Sequence, residues 1–311
     1  MSVPLNVHIL EALRDEELAL VELSRAVGHP PATTMRSYLK TLADLGILER
    51  QQEGGFPGAV AFSLTTSGER FLGVASALDS WLRKAPDGSI GLGDASAKSA
   101  IKALVEAWNA TIIRVLAARP LPLTELAKLI TGISYPTLER RLTALRRTGQ
   151  LQARRDSNGS RGTPYEVTPW LRQAVSPLAA AVAWEREWAR AQSKALSRLD
   201  VETLFLLVIP LLELPEELSG RCRLAVELRS GPQAEYAGAM MTVESGRPVS
   251  WASRLEGDSD AWVGGTASSW LGWMNGRTDR PLELGGNGRL ARSVVESLAQ
   301  GIPAASRATA A

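Results

Sequence analysis

The sequence contains few of the residues on which most enzymes and metal sites depend. Cys222 is the single cysteine among 311 residues, so it forms no disulfide within the chain and no multi-cysteine metal site. Histidine occurs only as His8 and His29. No Ser/His/Asp or Cys/His arrangement, zinc-ligand spacing, phosphate-binding loop or dinucleotide fingerprint is present. The sequence therefore predicts a protein that is not an enzyme and uses no cofactor or metal.

Long hydrophobic runs are also missing. The longest candidate, residues 204–214, contains Pro210 and Glu213 and is shorter than the roughly 20 residues that a membrane-spanning helix needs. The N-terminus has no charged segment followed by an apolar one and a small-residue cleavage site. We therefore expect a cytoplasmic protein with no membrane partner.

Lysine is absent from the last third of the chain. Residues 198–302 contain ten arginines, no lysine and fourteen acidic residues, whereas residues 1–197 hold 24 of the 35 basic and 19 of the 33 acidic residues. The first part is therefore net positive and the last part net negative. Such segregation favours separate partners, with a polyanion for the first part.

The first two thirds of the chain contain an internal repeat. Residues 8–50 and 111–154 each read as an apolar helix, a Glu-Leu helix, a turn, a polar-faced helix and a Leu-x-x-x-Gly-x-Leu pattern. Gly46 and Gly149 occupy the position where a left-handed residue ends a helix. A hairpin pattern follows each glycine. Three helices followed by a hairpin form a winged helix-turn-helix, and the sequence predicts two in tandem.

Both copies resemble the bacterial HxlR-type winged-helix regulators, which are related to the MarR group. The second copy carries the resemblance in PLPLTELAKLITGISYPTLERRLTALRRTGQLQARR and in the hairpin exit YEVTPWLRQAVSPL, and the first copy retains FSLTTSGERFL. Together these motifs cover roughly residues 5–190. The resemblance implies a regulator that binds double-stranded DNA. Two fused copies imply an internal pseudo-dimer, in a chain that is a monomer or a homodimer.

The third helix of each copy is the expected recognition helix. Hydroxyl groups and cations at such positions reach base edges and phosphates. The predicted DNA-binding residues of the helices are Thr33, Thr34, Arg36, Ser37, Lys40, Tyr135, Thr137, Arg140 and Arg141. In the second hairpin, Arg154, Arg155 and Arg161 add cations suited to phosphate or minor-groove contact, whereas residues 51–60 of the first hairpin contain none. We therefore expect unequal contacts from the two copies. A solvated arginine-rich helix face is the alternative interpretation.

The pattern changes after residue 198. An apolar helix, the alternating segment RCRLAVELR, a hairpin around Ser245 and Gly246, further strands and a closing helix predict an antiparallel sheet with helices on one face. Residues 200–302 resemble the sterol carrier protein type 2 family in the Asp-Ala-x-Val-x-Gly strand at 260–265 and the Trp-Leu-x-x-Met-x-Gly-Arg helix at 270–277. The resemblance implies an apolar tunnel between sheet and helices.

Tryptophan and methionine are concentrated in this last part. Such side chains line pockets for planar or lipid-like ligands, but they also fill ordinary cores. The predicted ligand-binding residues are Trp251, Trp262, Trp270, Trp273, Met240 and Met274. A second group of tryptophans flanks the winged copies, where packing is one interpretation and a ligand site between the copies is the other. This group is Trp81, Trp108, Trp184 and Trp188.

The predicted fold class is thus α+β, with two tandem winged helix-turn-helix domains followed by a sterol-carrier-like sandwich of antiparallel sheet and helices. The expected domains are a first winged unit at 1–84, a linker at 85–99, a second winged unit at 100–197, a ligand-binding domain at 198–302 and a flexible tail at 303–311.

The predicted function is a DNA-binding transcription regulator that responds to an apolar or aromatic small molecule. Two alternatives stay open. One is a binding protein that sequesters a hydrophobic molecule or antibiotic without regulating transcription. The other is a DNA-binding protein whose C-terminal domain only mediates assembly.

Overall fold

The computed structural model describes residues 4–53, 59–154, 162–188, 196–229, 234–274 and 281–301. The chain divides into two compact units. One comprises Met1–Ile101 with Ala180–Ser193, and the other comprises Lys102–Ala179 with Lys194–Ala311. Each unit is therefore assembled from two separate stretches of sequence.

The first unit combines helices with a small antiparallel sheet. Its elements are α1 (Pro4–Ala12), β1 (Leu18–Ala19), α2 (Leu20–Ala26), α3 (Ala32–Asp44), β2 (Leu48–Glu53), β3 (Ala59–Leu64), α4 (Thr66–Leu82) and α5 (Ala95–Val105), the last of which runs into the second unit. The strand order is β1-β3-β2, with Leu18 opposite Phe62 and Leu48 opposite Leu64.

The core of this unit is built from apolar side chains that recur every three or four residues along its helices. Met35, Leu39 and Leu42 of α3 are buried together with Ile9, Leu23 and other apolar side chains. This spacing places them on one face of α3 and leaves the opposite face to solvent.

Trp184 completes the packing of the first unit. It lies on α10 (Val175–Trp188), and its indole Nε1 donates to the backbone oxygen of Ser67 at 2.8 Å. Its ring centroid is 4.7 Å from that of Phe71 on α4. Trp81 is also buried, while Trp188 at the end of α10 is 36% exposed and the Trp108 side chain lies outside the described atoms. Packing accounts for Trp184 and Trp81.

The second unit opens with the same kinds of element. They are α6 (Ala107–Ala118), β4 (Leu121–Pro122), α7 (Leu123–Leu129), α8 (Tyr135–Arg147), β5 (Leu151–Ala153), β6 (Pro164–Val167), α9 (Pro169–Gln173) and the first residues of α10. The strand order is β4-β6-β5, with Leu121 opposite Tyr165 and Leu151 opposite Val167.

Corresponding features of the two helix-and-hairpin segments lie 103 residues apart, the separation of Gly46 from Gly149. Both glycines have a φ of 71°, as the Leu-x-x-x-Gly pattern predicts. The Thr65 hydroxyl donates to the backbone oxygen of Gly46 at 2.5 Å and accepts from the Gly68 amide. The Thr168 hydroxyl donates to the oxygen of Gly149 at 2.9 Å and accepts from the Leu171 amide.

The rest of the second unit is a five-stranded sheet with helices. The elements are α11 (Arg198–Val208), a short 3-10 turn (Ile209–Leu211), β7 (Gly220–Arg229), β8 (Glu235–Glu244), β9 (Arg247–Ala252), β10 (Ala261–Thr266), α12 (Ala267–Met274), β11 (Glu283–Gly286) and α13 (Gly288–Gly301). The strand order is β11-β10-β7-β8-β9.

The expectation of a purely antiparallel sheet is wrong at one strand pair. β10 pairs with β7 in parallel, while the other three pairs are antiparallel. After β9 the chain returns to the far side of β7, and this crossover makes the two strands run the same way.

The sheet has two unlike faces because side chains alternate along each strand. Cys222, Leu224 and Val226 of β7 are buried on the face that also carries Gly220, where an added Cβ would lie 3.2 Å from Leu290 of α13. Arg223 and Glu227 point to the other face and are only half-buried. Burial raises the pKa of the Cys222 thiol to about 12.

No helix among the described residues is long and apolar enough to cross a membrane. The same residues contain no group of three or more His, Cys, Asp or Glu side chains arranged to hold a metal ion.

Replacing Gly149 by alanine tests the left-handed helix end. We expect Gly149→Ala to destabilise the segment around α8 by about 1 kcal/mol, because a Cβ disfavours positive φ. Hydrogen exchange of peptides from α8 would then be about fivefold faster. Gly149→Asn is the matched control, since asparagine tolerates this conformation better than alanine does. Equal exchange rates in the alanine variant and the natural chain would contradict the prediction.

The buried thiol predicts low chemical reactivity. Alkylation of Cys222 by iodoacetamide at pH 8 is expected to be more than a hundredfold slower in the folded chain than in guanidinium chloride, because the thiolate is the nucleophile and burial disfavours it. Mass spectrometry of the labelled chain measures both rates. Comparable rates would show that the strand opens readily.

Candidate functional site

α8 presents a basic surface to solvent. Pro136 stands in its first turn, where the fixed φ of proline favours helix initiation. Leu138, Leu142 and Leu145 bury one face of the helix. The side chains that this packing leaves exposed include Tyr135, Arg140, Arg146 and Arg147.

Two cations of this surface have neighbours that hold them in place. The Arg146 guanidinium lies 5.8 Å from the centroid of the Tyr165 ring on β6, within the range of a cation–π contact. Arg154, which follows β5, is 3.9 Å from Glu166, and 57% of its side chain is exposed. The helix and the hairpin thus carry cations on neighbouring elements. Arg155 and Arg161 lie outside the described residues.

Arg141 is placed differently from the other predicted DNA-binding arginines. Its side chain is 17% exposed, and its Nη1 lies 2.8 Å from Glu106 Oε1 and 3.3 Å from Asn109 Oδ1. Its Nε is buried without a hydrogen-bond partner. Arg141 therefore holds α8 against the start of α6, and its charge is already compensated.

Thr137, another predicted DNA-binding residue of α8, has a hydrogen-bond partner within its own turn of the helix. The hydroxyl groups of Thr137 and Ser134 lie 2.9 Å apart, and Thr137 is half-buried. Tyr135 and Arg140 are therefore the predicted side chains of this helix that stand most freely in solvent, together with Arg147 at its end.

α3 offers a weaker positive surface. Thr33, Arg36 and Ser37 are exposed, and Thr34 is half-buried. Lys40 Nζ lies 2.6 Å from Asp44. Asp44 stands 103 residues before Arg147, at the corresponding position of the repeat. The end of α3 is therefore neutralised where the end of α8 is basic.

Polar contacts within the second unit join α6 and α9 to the five-stranded sheet and its helices, α11 to α13, which together are called the sheet domain. Arg114 Nη1 lies 2.9 Å from Glu202 of α11, whose side chain is only 7% exposed. Arg172 donates to the backbone oxygens of Leu206 at 2.9 Å and Ala117 at 3.4 Å. Burial lowers the pKa of Arg172 to about 10.

Trp251 belongs to the same junction. Its indole Nε1 donates to the oxygen of Ala117 at 2.9 Å, and the Arg172 guanidinium lies 5.7 Å from its ring centroid. Buried charged side chains with hydrogen-bond partners fix the position of the helices relative to the sheet. Separating such partners would leave a buried charge uncompensated. The helical segment and the sheet therefore form one compact unit.

A cavity of about 540 Å³ lies on the sheet face that carries Arg223 and Glu227. This volume is within the range of small-molecule sites. Side chains that line it include Arg223, Glu227, Tyr236, Leu255, Trp262 and Glu283.

Of the predicted ligand residues whose side chains the structure describes, Trp262 lines this cavity. Trp270 is buried, donates to the oxygen of Ala225 at 2.9 Å and meets Phe205 edge-on at 5.2 Å between ring centroids. Met240 is buried and Trp273 half-buried, and neither lines the cavity. The Met274 side chain lies outside the described atoms.

The polar lining was not predicted from the sequence. Arg223 and Glu227 belong to the alternating segment of β7, where every second residue shares a face. That alternation places them on the solvent side of the strand. The alternation within β7 does not show that Trp262 and Glu283, which come from other strands, line the same cavity.

The comparisons with known proteins bear mainly on the N-terminal part of the chain. The HxlR-like helix-turn-helix family model matches residues 5–88. The match falls on the first copy, the one that retains fewer of the motifs quoted above. No curated protein matches the chain.

Similar solved structures include the solution structure of a conserved hypothetical protein from Thermus thermophilus, described as a candidate sterol carrier protein. It is 17% identical, with a TM-score of 0.21, and the alignment covers 28% of this chain and 72% of that one. Residues 5–88 of this chain are thus similar to the HxlR-like helix-turn-helix family.

Proposed function

We propose that the chain is a transcription regulator in which two tandem winged-helix segments bind DNA and a C-terminal domain binds a controlling small molecule. The family match at residues 5–88 supports DNA binding by the first segment. The second segment is supported by its element order, which repeats that of the first at a constant spacing.

The observation that carries the proposal is the basic exposed face of α8. Arg140, Arg146 and Arg147 are all exposed there, and Arg154 lies on the neighbouring hairpin. A helix that presents cations in this way, beside a hairpin that adds another, matches the electrostatic requirement of a phosphate backbone. We therefore assign the main DNA contacts to the second segment.

The two segments would act together as an internal pseudo-dimer. One chain then supplies two recognition helices of unequal charge, so the two half-sites of its operator need not be alike. The weaker contact belongs to α3, where Arg36 is exposed but Lys40 is bound to Asp44.

Control by a ligand is supported by the position of the cavity. It lies in the same compact unit as α8. A ligand that favours one arrangement of this unit would change its affinity for DNA, because binding at two coupled sites is reciprocal.

Neutralising the exposed arginines of α8 is expected to weaken DNA binding. The double variant Arg140→Ala with Arg147→Ala should lose about tenfold in affinity for a duplex selected from a random-sequence library. The slope of log affinity against log salt should become shallower by about 2, one unit for each phosphate contact. Fluorescence polarisation of the full chain at several salt concentrations measures both quantities.

Arg292→Ala is the matched control, because Arg292 is exposed on α13, in the sheet domain. Unchanged affinity and slope in the α8 double variant would show that this helix does not contact DNA.

The corresponding change in α3 is expected to have a smaller effect. Arg36→Ala with Lys40→Ala should reduce affinity about threefold and alter the salt slope by less than the α8 variant does, because Lys40 already has a carboxylate partner. The same polarisation titrations provide the comparison. A larger loss from the α3 variant would reverse the assignment of the main contacts.

A further inference from the structure

We propose that the cavity binds a planar organic cation, stacked on Trp262 and paired with the carboxylates of Glu227 and Glu283. This inference deepens the proposed function, because it names the chemical class of the controlling ligand and takes the cavity as its site.

The Trp262 ring forms a flat platform on the sheet. Trp262 on β10 stands directly opposite Gly285 on β11. A Cβ at Gly285 would overlap the indole ring, and a Cβ at Gly264 would lie 3.4 Å from it. The ring therefore lies across the β11 backbone at Gly285, where any side chain would overlap it. The side chain is nevertheless 38% exposed, so a ring face is available to the cavity.

The charges around this platform favour a cation. Among the described residues, neither Glu227 nor Glu283 has an ion-pair or hydrogen-bond partner for its side chain, and both line the cavity. The one cation in the described lining, Arg223, donates through Nη2 to the backbone oxygen of Gly257 at 2.5 Å. The described lining thus has a net negative charge and two free carboxylates.

Strand register brings these groups together. Glu283 pairs with Gly264, which in turn pairs with Ala225 of β7, and Glu227 pairs with Thr266. The two carboxylates therefore lie on opposite sides of β10, the strand that carries Trp262. A flat ligand stacked on the indole would have a hydrogen-bond acceptor on either side. Tyr236, which is opposite Glu227 and 47% exposed, adds a second aromatic surface.

This chemistry differs from the apolar tunnel that the sequence resemblance implies. The sheet face that α13 contacts carries the closely packed side chains of Cys222, Leu224 and Val263, all fully buried. The cavity lies on the opposite face, where its lining includes Glu227, Arg223 and Tyr236 beside apolar residues such as Leu255. A cation gains from both the exposed aromatic face and the carboxylates, whereas a lipid chain gains only from the aromatic face and would leave the carboxylates without a partner.

The experiment compares two three-ring probes that differ in charge. Proflavine is a planar cation, and anthracene-9-carboxylate is an anion of similar size. Each is titrated by isothermal calorimetry into the full chain, freed of nucleic acid, at low and at physiological salt. The variants are the double variant Glu227→Gln with Glu283→Gln, and the single variants Trp262→Phe and Trp262→Leu. Glu244→Gln is the matched control, because Glu244 is exposed on the same sheet and does not line the cavity.

We expect proflavine to bind with a stoichiometry of one and the anion to bind at least about tenfold more weakly. The double glutamine variant should lose about tenfold in proflavine affinity, since each charged hydrogen bond is replaced by a neutral one. Trp262→Phe should retain most of the affinity, Trp262→Leu should lose it, and Glu244→Gln should match the natural chain. Equal binding of cation and anion, or natural affinity in the double glutamine variant, would overturn the proposal.

The glutamine variants remain decisive if Trp262→Leu fails to fold, which circular dichroism detects. The titration contains no DNA. Absence of proflavine binding would therefore contradict the cavity proposal without testing DNA binding, on which the proposed function depends. Cation binding by a chain that does not bind DNA would support the cavity assignment and count against transcription control.

Discussion

The hydrogen bonds between a threonine hydroxyl and the carbonyl of a helix-ending glycine determine where each helix-and-hairpin segment turns. In the first segment Thr65 bonds to Gly46, and in the second Thr168 bonds to Gly149. Each threonine also accepts from an amide of the next helix, so one side chain joins the end of α3 or α8, the second hairpin strand and the helix that follows. The positive φ of each glycine allows its carbonyl oxygen to come within hydrogen-bond distance of the threonine hydroxyl. The exposure of α3 and α8 depends on this junction, because it sets the angle between helix and hairpin.

The second unit adds a further constraint. Arg172 and Glu202 are largely buried, and each is satisfied by groups from the other side of the junction between helices and sheet. Removing one partner would leave a buried charge uncompensated, at a cost of several kcal/mol. The α8 surface and the cavity are therefore held by one framework. A change in the sheet domain can reach the helices through side chains that have few alternative positions.

Local patterns in the sequence predicted the elements well, but not their partners across the fold. The leucine spacing and the two glycines predicted α3, α8 and their left-handed ends, because these depend on neighbours within a few residues. The parallel pairing of β10 with β7 was missed, because alternation does not encode strand order. Trp251 was interpreted as a ligand residue, yet its hydrogen-bond partner Ala117 lies 134 residues away. The carboxylates of the cavity were missed for the same reason, since they come together only through the register of three strands.

The division of α10 between the two units has a consequence for the synthesis of the chain. Trp184 completes the packing around Phe71 and Ser67, but it is translated only after the entire second helix-and-hairpin segment. The first unit therefore stays incomplete on the ribosome until Trp184, which follows Ile101 by 83 residues, has been translated. A chain cut after residue 101 lacks this tryptophan and exposes the surface that it covers. The two units are interleaved along the polypeptide, so no single cleavage separates them into intact halves.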